Sequence, residues 1–114
     1  LAEIYSTPET YSVGTVVSVC LDSDHEVCDR ETVNVIGVVS ENPAYLMNSE
    51  AEGQAIAFTG RVPIRIIGEV EKGQRVYANG YGVASVINTG DLVGIALETN
   101  LEAKEKLVEC VLKV

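Results

Sequence analysis

The residues best suited to chemistry lie between Cys20 and Cys28, where the spacing is C-x4-H-x2-C and His25 is the histidine. Thiolates and imidazoles are the usual ligands of structural zinc. Such a site takes four ligands at firmer spacing, and this pattern supplies three, with three carboxylates between them: Asp22, Asp24 and Glu26. The pattern therefore predicts no metal site.

Two other states remain open for this pair of cysteines. Cys20 and Cys28 flank a turn, and a disulfide could join them across a hairpin, because facing residues of paired strands have suitable Cα separations. Small buried thiols are the alternative that the sequence favours, since free cysteine is among the most buried residue types.

No other motif completes a catalytic or cofactor site. Gly68–Gly73 resembles the first half of a phosphate-binding loop, but Gln74 and Arg75 stand where lysine and a hydroxyl residue are needed. Gly80 and Gly82 begin a dinucleotide-like pattern that no helix follows. A hydrolytic triad is not indicated either, because no serine or cysteine is recognisably paired with the single histidine. We predict no enzyme, no catalytic residue and no cofactor.

The elements that carry these residues have the pattern of short strands. Apolar and β-branched runs alternate with turn signals such as Asn79-Gly80, at intervals of about 8 to 12 residues. This spacing is typical of a sandwich or barrel of antiparallel strands. The predicted strands cover residues 15–20, 27–28, 33–39, 54–59, 61–67, 74–78, 82–87, 92–98 and 108–114. The predicted fold class is all-β, in a single domain over residues 1–114.

One segment has two interpretations. Thr99 and Glu102 fit a capping box, and Glu102 can pair with Lys106 one turn later, which favours a short helix near 100–107. A plain hairpin loop is the alternative.

Two segments suggest a contact between subunits. Pro63 cannot donate to a strand ladder, so the strand over 61–67 is predicted to be an edge or to carry a bulge. The apolar loop that follows Pro43 needs a surface to cover it, and Tyr and Met are enriched in interface cores. That surface is either another subunit or the core of the same domain. The candidate interface residues are Pro43, Ala44, Tyr45, Leu46, Met47, Val62, Pro63 and Ile64.

Composition limits the partners. The 114 residues carry 8 basic and 17 acidic side chains, for a formal charge of −9, which opposes binding to a phosphate backbone. Apolar residues make up 46%, with one Phe and no Trp, so the core is mostly aliphatic. No run approaches the ~20 apolar residues of a membrane span. We predict neither nucleic-acid binding nor membrane insertion. Because the chain begins at Leu1, we expect it to be a fragment of a longer protein.

The order of several segments resembles a known family over almost the whole chain. These segments are LAEIYSTPETYSVGTVVSV, VIGVVSENPAYLMNSE, GRVPIRIIGEVEKGQRVYANGYGVASV, VGIALE and VECVLKV. Together they are similar to a domain found near the C-termini of tail-fibre, tail-spike and other virion proteins of tailed phages, notably cyanophages. That domain is related to the autoproteolytic domains that end some tail spikes.

The resemblance implies an all-β structural domain of the virion, assembled in the host cytoplasm and often trimeric. The expected partners are further copies of the chain and other virion proteins, and a receptor or glycan is a further candidate. The alternative function is an autoproteolytic assembly domain that releases itself from a longer tail-spike precursor. No cleavage nucleophile of that branch aligns with a residue here, so no catalytic residue is carried over. The resemblance implies backbone-shaping roles for Gly37, Pro43, Gly60, Pro63, Gly68 and Gly73.

Overall fold

The computed structural model describes residues 2–41 and 53–114, and within these ranges the chain forms ten strands and no helix. The predicted all-β fold class is confirmed. The strands are β1 (Ala2–Tyr5), β2 (Val16–Val19), β3 (Val27–Cys28), β4 (Val35–Val39), β5 (Gln54–Ala57), β6 (Arg61–Ile66), β7 (Arg75–Gly80), β8 (Val83–Ser85), β9 (Leu92–Ala96) and β10 (Lys106–Leu112).

The first five strands form an antiparallel sheet in the order β1-β5-β4-β2-β3. One row of residues crosses four of these strands in register: Ala2, Ala57, Val38 and Val16. All four side chains join the larger core of the molecule, whereas the neighbours Val17 and Val39 join a second core. Because both faces are covered at Val16–Val17 and Val38–Val39, the apolar residues of β2 and β4 are consecutive there and do not alternate.

The last five strands close into a barrel in the order β10-β6-β8-β7-β9, with β9 pairing back onto β10. The pairs are antiparallel except at Ile66 and Ala84, where β6 meets β8 in parallel. The barrel interior is filled by aliphatic side chains with no exposure: Ile64, Ile66, Val76, Val93 and Val108.

The first sheet curls until its two outer strands meet. Val27 of β3 donates its N–H to the carbonyl of Ser6 (3.1 Å), which directly follows β1. Two further hydrogen bonds join Ser6 to Glu26. Ser6 N donates to Glu26 Oε1, and Glu26 N donates to Ser6 Oγ, each at 2.9 Å. The curled sheet encloses the second core: Tyr11, Val17, Cys20, Val27, Cys28, Val39 and Ile56.

Backbone hydrogen bonds join the sheet to the barrel. Val16 donates to the carbonyl of Gly82, and Arg65 donates to that of Gly14, both at 2.9 Å. The second bond explains why a proline is tolerated at position 63. The carbonyl oxygen of Pro63 lies beside Gly14, on the same side of β6 as the Arg65 N–H. Alternate residues of a strand direct their backbone groups to one side, so the missing N–H of Pro63 would face Gly14 and not β10.

The structure corrects one expectation from the sequence and decides between two alternatives that the sequence left open. Strand β6 is not an edge, since it lies between β10 and β8 in a closed barrel, and its register with β10 runs through Pro63 without a shift. The segment between β9 and β10 is a loop and not a helix: Asn100 forms a bridge with Val70, and its side chain accepts from Glu102 N. The segment is therefore the plain hairpin loop, in which Thr99 Oγ1 accepts from Lys72 N at 2.9 Å.

The glycines expected to shape the backbone do so in two ways. Gly60, Gly68 and Gly73 lie in turns at φ of 89°, 87° and 92°, the left-handed region that glycine occupies most readily. Gly37 instead permits close packing, because a Cβ there would lie 2.1 Å from the carbonyl oxygen of Ala57 on β5. No helix in the described ranges has the length and apolar character needed to cross a membrane.

Candidate functional site

The candidate interface residues separate into three groups. Val62 and Ile64 are 7% and 0% exposed and belong to the larger core, so they offer no surface to another subunit. Their assignment to an interface is corrected, because a strand in a closed barrel directs its alternate residues inward. Pro63 is half-buried. The remaining candidates lie outside the described residues: Pro43, Ala44, Tyr45, Leu46 and Met47.

Other large apolar side chains are exposed instead. Tyr81 is 83% exposed, Leu21 67%, Ile87 63% and Leu101 56%, and smaller fractions are exposed at Val19, Val33, Ile67, Leu107 and Val114. Exposed apolar area of this kind marks a binding surface when it is contiguous.

One depression on the barrel combines apolar and polar side chains. It has a volume of about 350 Å³ and is lined by Val86, Leu101, Gln74, Glu69 and Glu71. Ile87 follows Val86 in the chain and is itself 63% exposed. We call Val86, Ile87 and Leu101 the barrel patch; its charged neighbours are both carboxylates.

A second depression lies at the start of β6. Its volume is about 210 Å³, and its lining combines residues of the first sheet and the barrel: Ala2, Ser40, Ala57, Thr59, Gly60, Arg61 and Val62. Among the described residues, Arg61 is its only charged lining residue, and it is exposed. The two depressions therefore carry charges of opposite sign: two carboxylates line the first, and a guanidinium lines the second.

A different kind of site lies in the β2–β3 hairpin. Both cysteines there are free thiols and are buried, Cys20 at 6% and Cys28 at 1% exposure. They do not face each other directly: Cys28 faces Ser18, and Cys20 N donates to the carbonyl of Glu26. The disulfide argument assumed facing positions, whereas diagonal neighbours on paired strands have longer Cα separations than most disulfides. The favoured prediction of buried thiols agrees with the structure.

Asp22 completes a cluster with these two thiols. The Sγ atoms of Cys20 and Cys28 and a carboxylate oxygen of Asp22 lie within 4.8 Å of one another. Cys20 donates its thiol to Asp22 Oδ1 at 3.5 Å, and Arg30 Nη1 donates to the same oxygen. The turn 21–26 between the strands thus brings an exposed carboxylate over two buried sulfurs.

The electrostatics of the cluster favour the protonated thiol of Cys28 when nothing is bound. Burial, followed by the hydrogen bond with Cys20, raises the pKa of Cys28 to about 11. The charge of Asp22 raises the pKa of Arg30, which keeps the guanidinium cationic beside the carboxylate. Without a cation, the cluster holds the neutral sulfur of Cys28 close to the Arg30–Asp22 ion pair.

His25 does not belong to this cluster. Its ring nitrogen Nδ1 lies 3.0 Å from Ser23 Oγ, and its backbone N–H donates to the same hydroxyl at 2.9 Å. The sequence pattern gave equal standing to Asp22, Asp24 and Glu26, because spacing alone does not tell which turn residue folds back over the strands.

A comparison of the chain with known protein families finds no match. A comparison with curated proteins finds no match either. The candidate sites are accordingly the barrel patch, the Arg61 depression and the Cys20–Asp22–Cys28 cluster, each defined by the chain's own geometry.

Proposed function

We propose that this chain is a non-enzymatic structural domain that assembles into a homotrimer within a phage tail fibre, spike or similar appendage. The observation that carries the proposal is the exposed barrel patch. Ile87 and Leu101 leave more than half of their area in water on a barrel whose own core is already filled. Covering that surface removes apolar area from water, which drives association.

The occupant that we propose is a second copy of the same chain. In a ring of three copies each interface is heterologous, so it joins two different surfaces of the protomer. The two depressions meet this requirement: the barrel patch is flanked by Glu69 and Glu71, and the other depression carries Arg61. Placing one against the other pairs opposite charges beside the apolar side chains of the barrel patch, and charge complementarity of this kind is typical of interfaces.

The wider charge distribution fits a domain that joins proteins and does not bind nucleic acid. A formal charge of −9 leaves few cations for a phosphate backbone. It also makes each copy repel the next, so the contact must be local and apolar, with a basic residue such as Arg61 at its border. The resemblance to phage appendage domains supports the same assignment and the trimeric state.

Sedimentation velocity across a range of protein concentrations tests the oligomeric state, and a trimer is expected. Leu101→Asp introduces a charge into the barrel patch and is expected to yield monomers. Asn88→Asp adds the same charge at a neighbouring exposed position and is the matched control, expected to remain trimeric. A wild-type chain that remains monomeric at high concentration would contradict the proposal.

A charge exchange tests how the copies meet. Arg61→Glu and Glu71→Arg, each alone, place like charges together and should weaken the trimer. The double variant restores the opposite pairing and should recover it. If the double variant is no more trimeric than the singles, the two depressions do not face each other.

A second candidate function has one specific observation in its favour. Tyr81 is 83% exposed in the turn between β7 and β8, where its φ of 56° is unusual for a residue other than glycine. An exposed aromatic ring held on a tight turn suits stacking on a sugar, as expected for a glycan-binding tip. Glycan-array binding that Tyr81→Ala abolishes would favour this function, and an array without signal would argue against it.

A further inference from the structure

We infer that Cys20, Asp22 and Cys28 form a binding site for a thiophilic divalent cation such as Zn²⁺. The inference is independent of the assembly function, because it rests on the β2–β3 hairpin alone. The three side chains converge within 4.8 Å, and each offers an atom that such cations accept.

The spacing of the donors fits a tetrahedral ion. With Zn–S bonds near 2.3 Å and a Zn–O bond near 2.0 Å, tetrahedral angles place sulfur and oxygen about 3.5 Å apart and two sulfurs about 3.8 Å apart. The distance from Cys20 Sγ to Asp22 Oδ1 is 3.5 Å. The Cys20–Asp22 pair therefore matches the required separation, and the other two separations are at most 4.8 Å.

The chemistry of the donors decides which cation fits. Two thiolates select soft or borderline ions, and Ca²⁺ and Mg²⁺ prefer sites made of oxygen alone. Binding displaces the proton of each coordinating thiol into solvent. Three protein ligands leave the fourth position of a tetrahedral ion to water. Arg30 can remain hydrogen-bonded to Asp22 when the ion is bound, because a carboxylate offers about four lone-pair sites on its two oxygens.

The position of the cluster suggests what the ion would do. Strand β3 has two residues, so its ladder with β2 is short, and Ser6 supplies a bond on its other side. An ion that joins Cys20, Cys28 and the turn residue Asp22 would fix the two strands and the turn together. Binding to the folded state alone then raises stability by mass action.

The test uses reduced protein without a histidine tag, titrated with Cd²⁺ and Co²⁺. One equivalent of Cd²⁺ is expected to produce a thiolate-to-metal charge-transfer band, and Co²⁺ should give the intense visible spectrum of tetrahedral coordination. Zn²⁺ should displace Co²⁺ and raise the Tm. Absence of the band, or binding of several equivalents without saturation, would overturn the inference.

Substitutions identify the ligands. Cys20→Ser and Cys28→Ser should remove the band, and Asp22→Asn should weaken binding about tenfold or more. The matched controls are Cys110→Ser, at a buried thiol of the other core, and Asp24→Asn, at an exposed carboxylate of the same turn. Both controls should bind as the wild type does, and so should His25→Ala. Because Asp22 is exposed, its variant is expected to fold even if a cysteine variant does not.

Discussion

Arg65 holds Glu105 through two parallel hydrogen bonds, Nε to Oε2 at 2.9 Å and Nη2 to Oε1 at 3.0 Å. Its third nitrogen, Nη1, donates to Thr15 Oγ1 at 3.0 Å. One guanidinium therefore joins strand β6, the β9–β10 loop and the residue that precedes β2. Such planar, bidentate recognition is specific to arginine.

Neutralising Glu105 should lower stability in a pH-dependent way. The hydrogen bonds from Arg65 hold the pKa of Glu105 below its usual value. A lowered folded pKa contributes stability above the unfolded pKa, and that contribution disappears as the pH falls through the folded pKa. Because the carboxylate is 45% exposed, we expect Glu105→Gln to cost roughly 0.5 kcal/mol at neutral pH.

Urea unfolding at neutral and at acidic pH measures this effect. The difference between Glu105→Gln and wild type should shrink in acid. Glu102→Gln, in the more exposed Lys104–Glu102 pair, is the control and should cost less at neutral pH. A Glu105→Gln penalty that stays constant with pH would point to packing and not to charge.

Adding a methyl group at Gly37 should be far more costly than adding one at Gly68. The new Cβ of Gly37→Ala would lie 2.1 Å from the Ala57 carbonyl oxygen, so β4 and β5 must separate. Gly68→Ala meets open space and bears only the strain of its φ of 87°, about 1–2 kcal/mol. Denaturant unfolding of both variants checks the order, and equal losses would contradict the close approach of β5 to Gly37.

Truncating Ile64 should lower the free energy of unfolding much more than truncating Leu101. Ile64→Ala empties part of the barrel core and should cost about 2–5 kcal/mol of unfolding free energy. Leu101→Ala removes an exposed side chain and should change the stability of the dissociated protomer by less than about 0.5 kcal/mol. Unfolding measured at concentrations where only protomers are present makes this comparison. A large loss for Leu101→Ala would mean that its side chain packs within the protomer.

Tyr11 should make the folded state sensitive to alkali. Burial raises its pKa to about 12, so the folded state retains the phenol proton more strongly than the unfolded state does. Its contribution to stability is present below the unfolded pKa near 10 and is lost as the pH rises towards 12. Tyrosinate absorbance should show a component that titrates near pH 12 and is absent from Tyr11→Phe. A titration curve unchanged by that substitution would contradict this assignment.

The sequence predicts the positions of the strands well, but it predicts poorly which strands pair with one another. The β-branched runs and the glycine turns are local signals, so the elements around Val38 and Ile64 follow directly from the residues. Strand order depends on long-range contacts. Pro63 suggested an edge because the sequence does not show that Gly14 lies beside it, where no N–H is required.

The candidate sites show the same division. Buried thiols at Cys20 and Cys28 follow from residue type, but the register that places Ser18 opposite Cys28 does not. The choice of Asp22 over His25 as the neighbour of the thiols depends on how one short turn folds. The sequence gives no sign of the barrel patch, because Ile87 and Leu101 are apolar residues of the type that cores contain, and only the structure shows that both are exposed.

The row from Ala2 to Val16 has a consequence for how the molecule comes apart. In strands β2 and β4, one residue packs into the larger core and the next residue packs into the second core. Neither half can melt while its neighbour stays intact, because the same backbone forms a boundary of both. We therefore expect a chain cut between the sheet and the barrel to give two unfolded fragments. In the intact protein, slow amide exchange should be lost in the sheet and in the barrel at the same denaturant concentration.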